Sequence, residues 1–96
     1  MDVTPTTRAA LLRIVREAVT NTARHAQASE VTVSLAIDSA LNLRISDNGV
    51  GFDTREEERG WGFGLVSMRE RAQAIGGQLE VRSTVGQGTE IQVVIP

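Results

Sequence analysis

The sequence predicts a two-layer α/β sandwich, an α+β fold in which helices cover one face of a mixed, mostly antiparallel sheet. Two segments carry apolar residues at helical spacing, and four shorter segments carry them at alternate positions. The strand-like segments follow each other in two pairs, each joined by a short turn. A chain of 96 residues can bury one such core, so we expect a single domain over residues 1–96.

The first helix is expected from Pro5 to about Gln27. Thr4 provides a hydroxyl for the helix cap, and proline suits the first helical position. Apolar residues then recur at helical spacing and form one stripe: Leu11, Leu12, Ile14, Val15, Ala18, Val19 and Ala26.

The other elements follow from alternation and from glycine. Residues 31–37 alternate as a half-buried strand, 38–40 form a turn, and 41–45 alternate again. Residues 48–62 break every period and contain four of the nine glycines, which predicts a long loop. A second helix is expected from about Phe63 to Ile75, ended by two glycines, and the last two strands cover 79–83 and 91–95.

Composition excludes several classes of protein. Without cysteine there is no disulfide framework, thiol catalysis or thiolate-bound metal, and one histidine cannot build a histidine-rich metal site. The net charge is -2 and the ten basic residues, all arginine, are scattered, which argues against binding to nucleic acid or a membrane surface. No apolar run approaches the ~20 residues that span a bilayer. We expect a cytoplasmic domain that is part of a larger protein.

One flank of the first helix carries polar side chains beside the apolar stripe. Glu17, Asn21, Arg24 and His25 fall within about 100° of one another when each residue advances ~100°. A solvated face explains any one of them. However, Asn21 is a middling helix former in mid-helix, and an amide oxygen one turn from a carboxylate can hold a hydrated Mg²⁺. Arg24 and His25 could face phosphates from the same side.

The phase of the strands gives Asp47 and Thr89 two interpretations of equal weight. Asp47 shares the parity of the apolar residues of its strand, and Thr89 that of the last strand. Asp47 could leave the strand early and cap the loop, as aspartate often does. Alternatively, it could point inward and accept a hydrogen bond from an N–H of a bound molecule, with Thr89 assisting, because an inward carboxylate needs a partner.

Glycines bracket the long loop and open the second helix in the string GWGFGL, residues 60–65. Backbone N–H groups at a helix N-terminus can bind an anion, and glycine lets them approach it closely. Neither a Walker A motif, which needs lysine, nor a dinucleotide-binding fingerprint fits these residues.

Together, these segments resemble the GHKL (Bergerat-fold) ATPase superfamily. REAVTNTARHA resembles its N box, DNGVGF its G1 box, GFGLVSMRERA its G2 box and GQGTEI its closing Gly-Thr motif. The four boxes occur in order between about Leu11 and Pro96. The RHA and MRERA strings are most similar to sensor histidine kinases whose separate HisKA_3-type dimerisation helices carry the phosphoacceptor histidine.

The resemblance implies a role for each matching residue. Asn21 would ligate Mg²⁺, Glu17 would orient or deprotonate the attacking histidine, and Arg24 and His25 would approach the phosphates of ATP. Asp47 would accept from the adenine amino group, with Thr89 sharing its water network. The remaining implied nucleotide contacts are Gly49 and Gly51 beside the base, residues 52–61 as the lid, and Phe52, Gly62, Phe63, Gly64 and Leu65.

The implied function is transfer of the γ-phosphoryl group of MgATP to a histidine on a separate dimerisation domain, for relay to a response regulator. His25 lies on the flank that would contact nucleotide, so we expect that it is not the phosphoacceptor. The isolated chain should bind ATP with little turnover. Two alternatives remain: a GHKL serine kinase of the anti-sigma-factor type, and a non-catalytic ATP-binding interaction module.

Overall fold

A computed structural model describes residues 3–51 and 62–96, with only the backbone for residues 25, 26 and 62–64. The described helices and strands follow the predicted order, and a π-helical turn that was not predicted continues the first helix. The elements are α1 (Pro5–Asn21), the π-helical turn (Thr22–Ala26), β1 (Val31–Ile37), β2 (Leu41–Asp47), α2 (Gly62–Ala74), β3 (Gln78–Ser83) and β4 (Thr89–Ile95).

The strands form one four-stranded sheet in the order β1-β2-β4-β3. All three neighbouring pairs are antiparallel, so over the described strands the sheet is not mixed as the sequence analysis expected. Each predicted hairpin is present, and β4 inserts between β2 and β3. This order brings the ends of β2 and β4 together, with Asp47 directly opposite Thr89.

Both helices pack on the same face of the sheet, which confirms the two-layer arrangement. The inward residues of β2, β3 and β4 meet the apolar stripes of α1 and α2 in one core. The buried apolar residues are Leu11, Ile14, Ala18, Leu41, Leu43, Ile45, Leu65, Met68, Ala72, Leu79, Ile91 and Val93. The outward face is polar and carries a hydrogen bond of 2.7 Å from Gln92 to Asn42.

The prediction that β1 is half-buried is wrong, because all seven of its residues are exposed. Its apolar side chains lie on the helix-facing side, but β1 is the edge strand and the buried core extends only over β2, β4 and β3. Leu35 is 54% exposed, whereas Leu43, its partner across β2, is 3% exposed. Alternation therefore identified the face of β1 but not its burial.

The helix ends follow from local chemistry, with one difference from expectation. The Thr4 hydroxyl accepts a hydrogen bond from the Thr7 N–H at 3.1 Å, which confirms the predicted cap. At its other end α1 stops at Asn21 and continues as the π-helical turn, which ends at Gln27 in the left-handed conformation with φ 51°. Helix α2 ends as predicted, with Gly76 at φ 80°.

None of the helices in the described parts of the chain is both long and apolar enough to cross a membrane.

Candidate functional site

A row of polar side chains crosses the end of the sheet on the face that is otherwise apolar. Asp47 of β2, Thr89 of β4 and Ser83 of β3 are successive partners in the register. The hydroxyls of Thr89 and Ser83 lie 2.8 Å apart and share a hydrogen bond, and Thr89 is only 4% exposed. The row marks the end of the core. Its hydroxyl and carboxylate oxygens occupy inward positions of β2, β3 and β4, whereas the neighbouring inward positions of the same strands are apolar.

Asp47 shows both behaviours that the strand phase allowed. It is the last residue of β2 and lies on the inward side, where one carboxylate oxygen, Oδ2, accepts a hydrogen bond from the Thr22 hydroxyl at 3.3 Å. Its other oxygen, Oδ1, accepts from the Gly49 N–H at 2.8 Å, which caps the following turn. A carboxylate has about four lone-pair directions, so it can still accept from a bound donor.

No cation of the described residues forms an ion pair with Asp47. A carboxylate held by two hydrogen bonds and no opposite charge is suited to neutral N–H donors, such as the exocyclic amino group of a nucleobase.

The C-terminal end of α1 reaches this row through Thr22. Asn21, the residue before it, is 8% exposed, and its amide nitrogen is buried with no hydrogen-bond partner among the described residues. Leaving a buried polar group unpaired costs about 1–3 kcal/mol. An arriving ligand that accepts from this amide would remove that cost, so Asn21 has the properties of a binding residue.

The donor set around Asn21 fits Mg²⁺ supported by phosphate oxygens rather than a metal centre built by the protein alone. Among the described residues no three His, Asp or Glu side chains cluster as a metal site. Glu17 lies one helical turn before Asn21, half-buried, so α1 presents one carboxylate and one amide. Mg²⁺ prefers oxygen ligands and commonly takes few from the protein and the others from water and phosphate.

The two remaining polar residues of the α1 flank are separated from Glu17 and Asn21 by the change to the π-helical turn. Arg24 lies in that turn and is exposed. His25 lies in the same turn, but its side chain is outside the described residues.

Close backbone packing explains two glycines at the end of the sheet. Gly51 has φ 64°, and a Cβ there would collide with the Thr84 carbonyl oxygen. Gly88 has φ 83°, and a Cβ there would collide with the Asp47 carbonyl oxygen. The two glycines thus let the turn after β2 lie against the turn between β3 and β4. For Gly51 this is a structural role, in addition to the contact with the base that its motif implied.

Asn48 holds the loop before β1 against the end of β2. Its Oδ1 accepts from the N–H groups of Ser29 and Glu30, both at 3.0 Å, and its Nδ2 donates to the Ser29 hydroxyl at 2.8 Å. This function of Asn48 could not be predicted from local patterns, because Glu30 and Ser29 lie 18 and 19 positions before it in the chain.

The remaining predicted nucleotide contacts are described by the structure only in part. Leu65 is 1% exposed and belongs to the apolar core, so its side chain packs against the sheet. Gly49 is buried beside Asp47. Phe52 and the lid segment 52–61 lie outside the described residues, as do the side chains at 62–64, so the predicted roles of Gly62, Phe63 and Gly64 stay predictions.

Two residues of the site, Ser83 and Thr22, were not predicted from the sequence, and only Ser83 has a sequence signal that could have identified it. Ser83 shares the parity of Leu79 and Val81, so alternation places it on the inward face. Thr22 has no comparable signal, because its contact with Asp47 depends on how α1 packs on the sheet.

A shallow polar cleft of about 270 Å³ opens beside the row. Asp47, Ser83 and Thr89 form its inner wall, and the turn between β3 and β4 forms another side. It also includes the outward residues Ser46, Arg82 and Glu90, so only its inner part belongs to the helix-facing site.

Comparison with known proteins identifies the family. Residues 6–96 match the family of histidine kinase-, DNA gyrase B-, and HSP90-like ATPases. The chain is 49% identical over 87 residues to the sensor histidine kinase LiaS of Bacillus subtilis, covering 90% of this chain and 24% of that protein. It is 38% identical over 95 residues to DegS of Bacillus subtilis, a signal transduction histidine-protein kinase/phosphatase, covering 96% of this chain and 25% of that protein.

A solved structure gives the same result for the fold. The ATP-binding domain of PrrB from Mycobacterium tuberculosis superposes with a TM-score of 0.76 at 28% identity, covering 92% of this chain and 67% of that one. The chain spans about a quarter of the length of the two curated relatives. With its sequence match, its helices on one face of an antiparallel sheet and its polar row, the chain belongs to the histidine kinase-, DNA gyrase B- and HSP90-like ATPases, as an ATP-binding domain of the sensor histidine kinase type.

Proposed function

We propose that this chain is the catalytic domain of a sensor histidine kinase and lies in the cytoplasmic part of that protein. It would transfer the γ-phosphoryl group of MgATP to a histidine on a separate helical dimerisation domain, which passes it to a response regulator. The observation that carries the proposal is the inward carboxylate of Asp47, which has no ion-pair partner in the described chain and stands in a polar row at the end of an apolar sheet face.

Each residue of the site has a distinct part in the proposed reaction. Asp47 accepts a hydrogen bond from the adenine amino group, and Thr89 and Ser83 hold an ordered water beside the base. The phosphates extend from there towards Asn21 and the N-terminus of α2, where the helix dipole favours negative charge. The exposed Arg24 and the neighbouring His25 approach the phosphates from the π-helical turn.

The chain contributes mainly position and charge, as proteins generally do in phosphoryl transfer. Asn21 and water would hold Mg²⁺, which when bound neutralises charge on the phosphate oxygens. The imidazole nitrogen of the acceptor attacks the γ-phosphorus, the bond from that phosphorus to the β,γ-bridging oxygen breaks, and ADP leaves. Glu17 orients the imidazole and accepts its proton.

The proposal is tested by mixing the chain with Mg²⁺, γ-labelled ATP and a helical dimerisation fragment that carries one histidine. We expect acid-labile label on the fragment. Acid-stable label would instead support the serine-kinase alternative, and binding of ATP without labelling of any acceptor would support the non-catalytic module.

Glu17→Gln separates binding from chemistry in the same assay. The amide keeps the size of the side chain but cannot accept the proton, so the labelling rate should fall about 10²- to 10⁴-fold, the usual contribution of a general base. The dissociation constant for ATP should stay within about threefold. An unchanged labelling rate would exclude Glu17 as the base.

His25→Gln serves as a second variant, because His25 is the one histidine of the chain. The fragment should still be labelled by this variant. Loss of all label while ATP binding is retained would identify His25 as an acceptor and contradict the proposal.

A further inference from the structure

A groove between α1 and α2 carries positive charge that the proposed chemistry does not use. We name it the arginine groove. It has a volume of about 230 Å³ and is lined by Arg13, Arg16 and Glu17 of α1 and by Ser67 and Arg71 of α2.

The charges of this groove have no opposite charge paired with them among residues 3–51 and 62–96. Arg13, Arg16 and Arg71 make no ion pair with any of the described residues, and neither does Glu17. The groove thus contains three guanidinium groups and one carboxylate, a local excess of positive charge in a chain of net charge -2.

Two arginines of the sheet differ from those of the groove, because each lies close to a glutamate. On the outward face of the sheet, Arg44 lies 3.9 Å from Glu90, and Arg82 lies 3.2 Å from Glu80. The open guanidinium groups of the groove are therefore available to an external anion, and arginine matches a carboxylate with two parallel hydrogen bonds.

The groove leads away from the nucleotide end of the helices. Glu17 is one turn from Asn21, but Arg13 is two turns away, about 12 Å along α1 at 1.5 Å per residue. Arg71 is more than two turns from Gly62, where α2 begins. Phosphates held at Asn21 and at the start of α2 would not reach the far end, so Arg13 and Arg71 stay open to another anion.

We propose that the arginine groove docks an acidic helix, with carboxylates about one helical turn from the acceptor histidine. This inference rests on the proposed function and names the partner surface for it. A helix suits the space between two helices, because its ridges of side chains can pack into the grooves on the surface of α1 and of α2. The carboxylates of the partner pair with Arg13, Arg16 and Arg71.

The single carboxylate of the groove determines the register of the partner. Glu17 repels an acidic side chain and attracts an imidazole that gains positive charge as it reacts. The acceptor histidine is therefore placed at Glu17, with acidic residues on either side of it. The net negative charge of the rest of the chain disfavours the same helix elsewhere, so the groove supplies orientation as well as affinity.

The test uses two synthetic helical peptides, each with one histidine. One carries glutamate one turn before and one turn after the histidine, and the other carries lysine at the same positions. With MgADP present, the acidic peptide should bind at least ~10-fold tighter in fluorescence anisotropy at low salt, a difference that falls as salt screens the charges. When the peptides are labelled with MgATP, the acidic peptide should likewise have the lower KM.

Arg16→Glu combined with Arg71→Glu should reverse this preference and leave the dissociation constant for ATP unchanged. The matched control is Arg8→Glu combined with Arg44→Glu, which makes the same change of charge outside the groove and should keep the preference for the acidic peptide. Because Arg71 is partly buried, Arg16→Glu alone is a second variant that alters only an exposed side chain.

The outcomes separate this inference from the proposed function. Labelling with equal KM for the two peptides overturns the groove proposal and leaves the kinase function standing. A charge preference in binding without labelling of either peptide supports the groove and counts against the kinase function. Loss of ATP binding in folded Arg16→Glu overturns the groove proposal, because the arginine would then belong to the nucleotide site.

Discussion

The carboxylate of Asp47 accepts one hydrogen bond on each oxygen, from Thr22 and from the Gly49 N–H. These two bonds fix its direction, because one donor lies on the last turn of the helical layer and the other in the loop that follows β2. The residue thereby links helix, strand and turn at the point where the proposed adenine would bind. Its chemistry depends on an acceptor that is held in place and still has unused lone pairs.

Asp47→Asn should raise the dissociation constant for ATP about 10- to 100-fold, because a hydrogen bond to a charged group contributes about 1.5–3 kcal/mol. The new amide can still accept from the Gly49 N–H, so the fold should persist. Titration calorimetry measures the affinity, and Asp38→Asn, an acid-to-amide change in the exposed turn between β1 and β2, is the control. Equal affinities for the two variants would remove Asp47 from the adenine site.

Parity along β2 and β4 gives Asp47 and Thr89 the inward phase but leaves open whether Asp47 caps the following loop, and in the structure Asp47 lies on the inward side and also caps that loop. The contact with Thr22 could not be predicted in the same way. Residues 22 and 47 belong to different layers, and their separation depends on how the helix packs on the sheet. Sequence periodicity describes each element by itself and contains no information about that distance.

At the scale of the elements, two turns pack against each other to shape the site. The turn after β2 contains Gly51, and the turn between β3 and β4 contains Gly88. Each glycine has a positive φ and brings its backbone against a carbonyl oxygen of the opposite segment. Residues 47–51 therefore form a turn in which Gly51 serves packing within the protein, beside the acidic residue proposed to bind the base.

Gly88→Ala should destabilise the domain by about 2–4 kcal/mol, because the left-handed conformation costs about 1–2 kcal/mol for alanine and the new Cβ meets the Asp47 carbonyl oxygen. Gly86→Ala is a matched control, since Gly86 has φ 85° but no atom within 4 Å of the added Cβ. That variant should lose only the conformational cost of about 1–2 kcal/mol.

Urea denaturation measures both free energies of unfolding. The displacement of the Asp47 backbone should also weaken ATP binding in Gly88→Ala but not in Gly86→Ala. Equal losses of stability in the two variants would show that the backbone conformation, and not the contact with β2, determines the cost.

For the whole molecule, the order of the strands decides which apolar residues are buried. Strand β4 lies between β2 and β3, and β1 is left at the edge. The inward side chains of β2, β3 and β4 meet α1 and α2, whereas Leu35 and Ile37 of β1 remain about half exposed. Two strands with the same alternation therefore differ in what they contribute to stability.

Leu43→Ala should cost about 2–5 kcal/mol, the range for truncating a buried leucine. Leu35→Ala, its exposed partner across the same pair of strands, should cost only about 1 kcal/mol, because the exposed half of its side chain gains little from folding. Chemical denaturation of both variants checks the difference. Similar losses would mean that β1 is covered in solution.

Sequence alone determined the order of the elements, the layer that each strand face joins, the helix cap at Thr4 and the family, since these follow from local periodicity, capping chemistry and motifs in the chain. Only the tertiary structure decided that β1 is an exposed edge, that Thr22 holds Asp47, that Asn48 ties two distant segments and that three arginines share one groove. The physical reason is the same for all four. Each depends on distances between residues remote in sequence, and those distances exist only after the layers pack.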